Sequence, residues 1–90
     1  MQEFREKWEE WYGDLLNAYQ WDELEYEGRR ILYVRGNTRY TGDEGAFTSD
    51  FIQVIGCLDS GLALEEEAHE GITQLLRGQH GIDNICFWST

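Results

Sequence analysis

Apolar residues recur along the first twenty positions at steps of three and four. Phe4, Trp8, Trp11, Leu15 and Tyr19 share one side of a helix, widened by Tyr12 and Leu16. Glu3, Glu6, Glu10 and Asp14 step along a different side. The spacing predicts a helix over 3–19 with an aromatic stripe to bury and an acidic stripe to leave in water. Gly13 inside it is a mild defect, costing about 1 kcal/mol against alanine.

The period then changes to two. Leu24 and Tyr26 alternate with Glu23, Glu25 and Glu27, which predicts a half-buried strand with a glutamate face. Gly28 permits a turn, and Arg30–Arg35 is β-branched and aromatic, a second strand. Gly36-Asn37 is a two-residue turn signal, returning the chain through a short third strand over 38–41. Phe47, Phe51, Val54, Ile55 and Leu58 keep a helical period, so 47–58 reads as helix, although Ile52, Val54 and Ile55 favour strand. Residues 62–77 predict a further helix with Leu64, Ala68, Ile72, Leu75 and Leu76 on its buried side. Glutamates 65–67 open it, Arg77 closes it and Gly78 stops it. Ile85, Cys86, Phe87 and Trp88 predict a final strand.

These elements make one α+β domain over 1–90. It has an N-terminal helix, a three-stranded antiparallel meander, one or two further helices and a C-terminal strand, with the helices on one face of the sheet. The expected core is Trp8, Trp11, Leu15, Ile31, Tyr33, Phe51, Val54, Leu75 and Phe87. Trp21, Tyr40 and Trp88 exceed what so small a domain can bury, and exposed aromatics beside acids make a binding patch. Glycines inside predicted helices, at 13, 56 and 71, are expected to serve close packing.

Charge changes the picture. The formal net charge is −11 on 90 residues, and it is blocked: −7 over 1–27, +4 over 28–42, −8 over 43–70 and zero over 71–90. That sign disfavours nucleic acid and anionic membranes and favours a basic partner. Arg30 or Arg35 could pair with Glu23 or Glu25 across the hairpin, leaving two acidic surfaces to merge into one negative patch. No apolar run approaches the roughly 20 residues of a membrane span, and no basic patch precedes an apolar stretch at the N-terminus. A cytoplasmic protein with two reduced thiols, Cys57 and Cys86, follows.

Catalytic chemistry is thin. His69 lies one turn from Glu65, but two ligands do not make a metal site. His80, Asp83 and Cys86 are spaced by three and could in principle hold zinc or arm a thiol, yet Cys86 sits in an apolar run. There is no phosphate-cradling glycine loop, Walker lysine or nucleophile elbow. No catalytic residue, metal or cofactor is assigned, and an enzyme is not expected.

The expected function is a small inhibitor that presents carboxylates where phosphates would lie, docking on a nucleic-acid-binding protein. Phage antagonists of CRISPR or restriction systems are the analogy, drawn from size and charge. Glu3, Glu6, Glu10, Asp14, Asp43, Glu44, Glu65, Glu66, Glu67 and Glu70 would carry the contact. The alternative is a structural or regulatory subunit that forms a homodimer or larger assembly through exposed aromatics.

Overall fold

A computed structural model describes residues 2–12, 16–42 and 45–88. The order is α1 (Gln2–Tyr12), β1 (Leu16–Tyr26), β2 (Arg29–Gly42), β3 (Gly45–Cys57), α2 (Glu66–His80) and β4 (Ile85–Phe87). The four strands form one sheet in the order β1-β2-β3-β4. β1, β2 and β3 are antiparallel, and β4 joins β3 in parallel. The sheet is therefore mixed, and α2 supplies the crossover that a parallel pair needs.

The α+β class holds, and several boundaries move. The first helix ends at Tyr12 rather than 19. From Leu16 the chain is already extended, so Tyr19 belongs to the same alternating pattern as Trp21 and Glu23. A step of four from Leu15 to Tyr19 had imitated a helical turn. Gly13, Asp14 and Leu15 lie outside the described residues.

The turn expected at Gly36-Asn37 does not occur. β2 runs straight through it, because Gly36 pairs with Tyr19 on one side and Phe51 on the other. A strand paired along both edges cannot reverse. Gly36 serves close approach instead: a Cβ there would stand 2.7 Å from Phe51 Cε1. Residues 38–41, expected as a third strand, are the end of β2, and the third antiparallel strand is instead Gly45–Cys57.

Residues 47–58, read as helix, belong mostly to strand β3. The register shifts between Leu32 and Tyr33, leaving Ile55 as an extra residue on β3. Ile52, Val54 and Cys57 thus face one side of the sheet, and Ile55 faces the other. A strand apolar on both faces loses the period of two by which it would be recognised.

The two helices cover opposite faces of the sheet, not one. α2 buries Ala68, Ile72 and Leu76 against Ile31, Tyr33, Ile52, Val54 and Cys57. α1 buries Trp8 against Leu32, Val34 and Ile55. This is why Ile31 through Val34 are all fully buried. Gly71 lets α2 approach β1 closely, since a Cβ there would meet Tyr26 Cε1 at 2.9 Å. Of the expected core, Trp8, Ile31, Tyr33 and Val54 are buried and Phe51 and Phe87 partly so, whereas Trp11 is 56% and Leu75 50% exposed.

α2 runs one turn past its expected stop. Gly81, at φ 68°, takes the left-handed closing position and its N–H donates to Arg77 O at 2.8 Å. At the other end of the sheet, Glu27 (φ 50°) and Gly28 (φ 77°) are both left-handed. That is the type I′ reversal, whose twist matches the β1–β2 hairpin.

Candidate functional site

Among the described residues, Trp8 is the fully buried side chain by which α1 packs on the sheet. Trp8 is 1% exposed, and its indole Nε1 donates to Gln53 Oε1. Its ring meets Tyr12, Tyr19 and Trp21 at centroid distances of 5.6, 5.1 and 5.2 Å. Trp11 stacks on Trp88 at 5.8 Å and stays largely in solvent. Trp21 Nε1 donates to Glu9 Oε1 at 3.0 Å, and the Arg5 guanidinium lies 5.4 Å over the Trp21 ring. Glu6 and Glu10 are exposed on this helix. Tyr19 and Trp21 point to the α1 side, so alternation places the exposed Glu23 and Glu25 there too.

Two arginines of the basic block, Arg29 and Arg30, pair with carboxylates of the domain. Arg29 Nη2 pairs with Glu65 Oε1 at 2.8 Å, and Arg30 Nε pairs with Asp59 Oδ1 at 3.4 Å. Arg77 Nε pairs with Asp83 Oδ1 at 3.2 Å. Arg30 stands directly across from Glu25 in the sheet but goes to Asp59, which also accepts the Arg30 backbone N–H at 3.0 Å. That backbone bond first, then the guanidinium charge, hold the Asp59 carboxyl below its ordinary range. The hydrogen bond from Arg29 does the same for Glu65. Pairing within the domain therefore occurs, with partners other than Glu23 and Glu25.

The acids assigned to partner contact divide between the two sides of the sheet. Glu6 and Glu10 lie on α1. Glu66, Glu67 and Glu70 lie exposed on α2, against the opposite face, and Glu65 precedes them with its carboxylate on Arg29. The helices do not bring their acids together. The Glu3 side chain is not described, and Asp14, Asp43 and Glu44 lie outside the described residues. Among the described residues, no cation pairs with Glu6, Glu10, Glu23, Glu25, Glu66, Glu67 or Glu70.

His80, Asp83 and Cys86 disperse. Cys86 lies across the sheet from α2, lining a crevice with Trp8 and Tyr12, and close packing pushes its thiol up. Asp83 goes to Arg77. His80 joins a network that sequence spacing could not signal, because its partners come from β1 and β2. Arg35 Nη1 donates to His80 Nδ1 at 3.0 Å, so that nitrogen is the acceptor and Nε2 carries the proton. Nε2 then donates to Tyr33 Oη at 2.9 Å, and the phenol donates to Asp22 Oδ2 at 3.2 Å. Burial first, then the Asp22 charge, push the Tyr33 phenol up to about 12. His69 stacks on Phe87 at 3.9 Å, with Nε2 3.3 Å from Leu64 O. Among the described residues, no three His, Cys, Asp or Glu gather as metal ligands. Both cysteines are free, Cys57 buried and Cys86 exposed. No helix among the described residues is long and apolar enough to cross a membrane.

Comparison with protein-family models, curated proteins and solved structures returned no match.

Proposed function

We propose that this chain is a non-enzymatic acidic binding module of the cytoplasm. It docks on a basic, nucleic-acid-binding surface of a partner protein by carboxylate mimicry of phosphate, in the manner of anti-CRISPR or antirestriction inhibitors. The observation that carries the reading is the sorting of charge. Three arginines pair with Glu65, Asp59 and Asp83, while exposed glutamates on both helices and on β1 have no cation partner among the described residues. A surface so arranged attracts a basic partner over distances comparable with the Debye length, about 8 Å at physiological salt.

The α1 side is the docking side. Glu6, Glu10, Glu23 and Glu25 share this side of the sheet with Trp11, whose 56% exposure leaves an indole for a desolvated contact. On α2 and just before it, the exposed large apolar side chains among the described residues are the aliphatic Leu75 and Leu62. The test is binding to a captured partner as salt is raised, for the native chain and for Glu6→Lys/Glu10→Lys. Affinity falls with salt, and the double reversal weakens it further. Affinity unchanged in both tests refutes the reading.

A second reading, self-association, is favoured by β1. It is an eleven-residue edge strand, so one row of its backbone groups is open to a further strand. A mass that rises with concentration and resists salt, together with strong sensitivity to Trp88→Ala, would identify it.

A further inference from the structure

Arg35 behaves unlike the other arginines that face acids. It lies on β2, one pair along from Asn37, which stands opposite Asp50 on β3. Arg35 and Asp50 are thus diagonal neighbours on one sheet face, on the order of 7–8 Å apart at Cα, within reach of an arginine side chain. Arg29, Arg30 and Arg77 each reach a carboxylate; Arg35 pairs with none among the described residues. Its Nη1 is held by His80 Nδ1 at 3.0 Å and its Nη2 by Gln20 Oε1 at 3.2 Å. Asp50 Oδ1 accepts instead from Asn37 Nδ2 at 2.9 Å. Tyr33 anchors the far side of the imidazole, so the guanidinium rests on a fixed support.

Both charges line one open cleft of about 410 Å³, which Tyr19 and Ile82 also border. That volume falls within the range of small-molecule sites. Two opposite charges are therefore kept apart by neutral partners inside one concavity. A guanidinium has five N–H donors, of which the two bonds to His80 and Gln20 use two, and a carboxylate has further lone pairs. A simple anion would meet the Asp50 charge, and a simple cation would meet Arg35. A ligand bearing both charges satisfies both.

We propose that this cleft binds a small zwitterion of the free amino acid class, its carboxylate on Arg35 and its ammonium on Asp50. The site is independent of the α1 docking side, since Arg35, Asp50 and His80 lie with α2.

The test is titration of the ¹⁵N-labelled chain with glycine, 4-aminobutyrate and 6-aminohexanoate, whose charges stand progressively further apart. Acetate and methylammonium serve as the two halves, at constant ionic strength. At least one zwitterion gives saturable shifts at the Gln20, Arg35 and Asn37 side-chain N–H groups, at least about tenfold tighter than either half. Arg35→Gln abolishes binding, but it also removes the bond to His80. Asp50→Asn is decisive: its carboxamide oxygen can still accept from Asn37, and it lowers zwitterion affinity to that of acetate. Acetate binding as tightly as every zwitterion, Asp50→Asn without effect, or no saturable shift with any of the three overturns the proposal.

Discussion

Replacing Trp8 with alanine isolates what holds α1 to the sheet. A tryptophan buries about 200 Å², and Trp8 is 1% exposed. At about 25 cal/mol per Å² that is about 5 kcal/mol. The unfolded chain already hides part of this area, which reduces the figure to roughly 3–4 kcal/mol. The substitution also strips Gln53 Oε1 of its indole donor and removes ring contacts to Tyr12, Tyr19 and Trp21. The expected loss is about 3–5 kcal/mol, a large share of the roughly 5–15 kcal/mol available to such a domain. Urea unfolding followed by far-ultraviolet circular dichroism measures it, with a Tm fall on the order of 20 °C. Trp8→Phe keeps most of the burial and loses the donor, so it costs about 1–2 kcal/mol. A loss under about 1 kcal/mol for Trp8→Ala would refute the claim that this residue is the anchor.

Three further outcomes follow from the geometry. Glu27 holds a left-handed conformation at φ 50°, so Glu27→Asn stabilises the hairpin by about 0.5–1 kcal/mol in equilibrium unfolding. The Asp59 carboxyl is depressed in the folded state by Arg30, so its contribution is present above the ordinary carboxylate range and is lost as pH falls through the depressed value. Urea midpoints for the native chain and Asp59→Asn separate above the ordinary carboxylate range and converge as pH falls below the depressed value. The Tyr33 phenol is raised to about 12, so its stabilisation is complete below about pH 10, the unfolded value, and fades as pH rises toward 12. Tyr33→Phe removes that alkaline slope, as ultraviolet titration of the phenolate and unfolding at matched pH would record.

The parts of the fold that were legible in the sequence are those with a single buried face. α2 presents Ala68, Ile72 and Leu76 at helical spacing, and β1 alternates Leu24 and Tyr26 with glutamates, so period alone finds them. β2 and β3 are buried on both faces, and there period carries less information. Leu32 and Val34 serve α1 while Ile31 and Tyr33 serve α2, so no alternation survives. The bulge at Ile55 adds a step that resembles a helical turn. Gly36-Asn37 has turn chemistry but sits between two paired strands, where hydrogen bonds to both neighbours outweigh local preference. The exposed acids of both helices were visible as charge blocks. Their separation to opposite faces was not, because it depends on which side each helix packs. The Arg35–His80–Tyr33–Asp22 network joins residues up to 58 positions apart in the chain, counting from Asp22 to His80, and leaves no local trace.

The most direct test of charge mimicry from the α1 side is capture of partners by the immobilised chain, with duplex DNA as competitor, for two charge-reversed forms. Glu6→Lys/Glu10→Lys reverses the α1 acids, and Glu66→Lys/Glu70→Lys reverses those of α2. The account predicts that the native chain retains a nucleic-acid-binding protein that DNA and high salt both release. It further predicts that the α1 reversal loses this protein while the α2 reversal keeps it. Capture indifferent to DNA and salt, or lost through α2 and not α1, would contradict it.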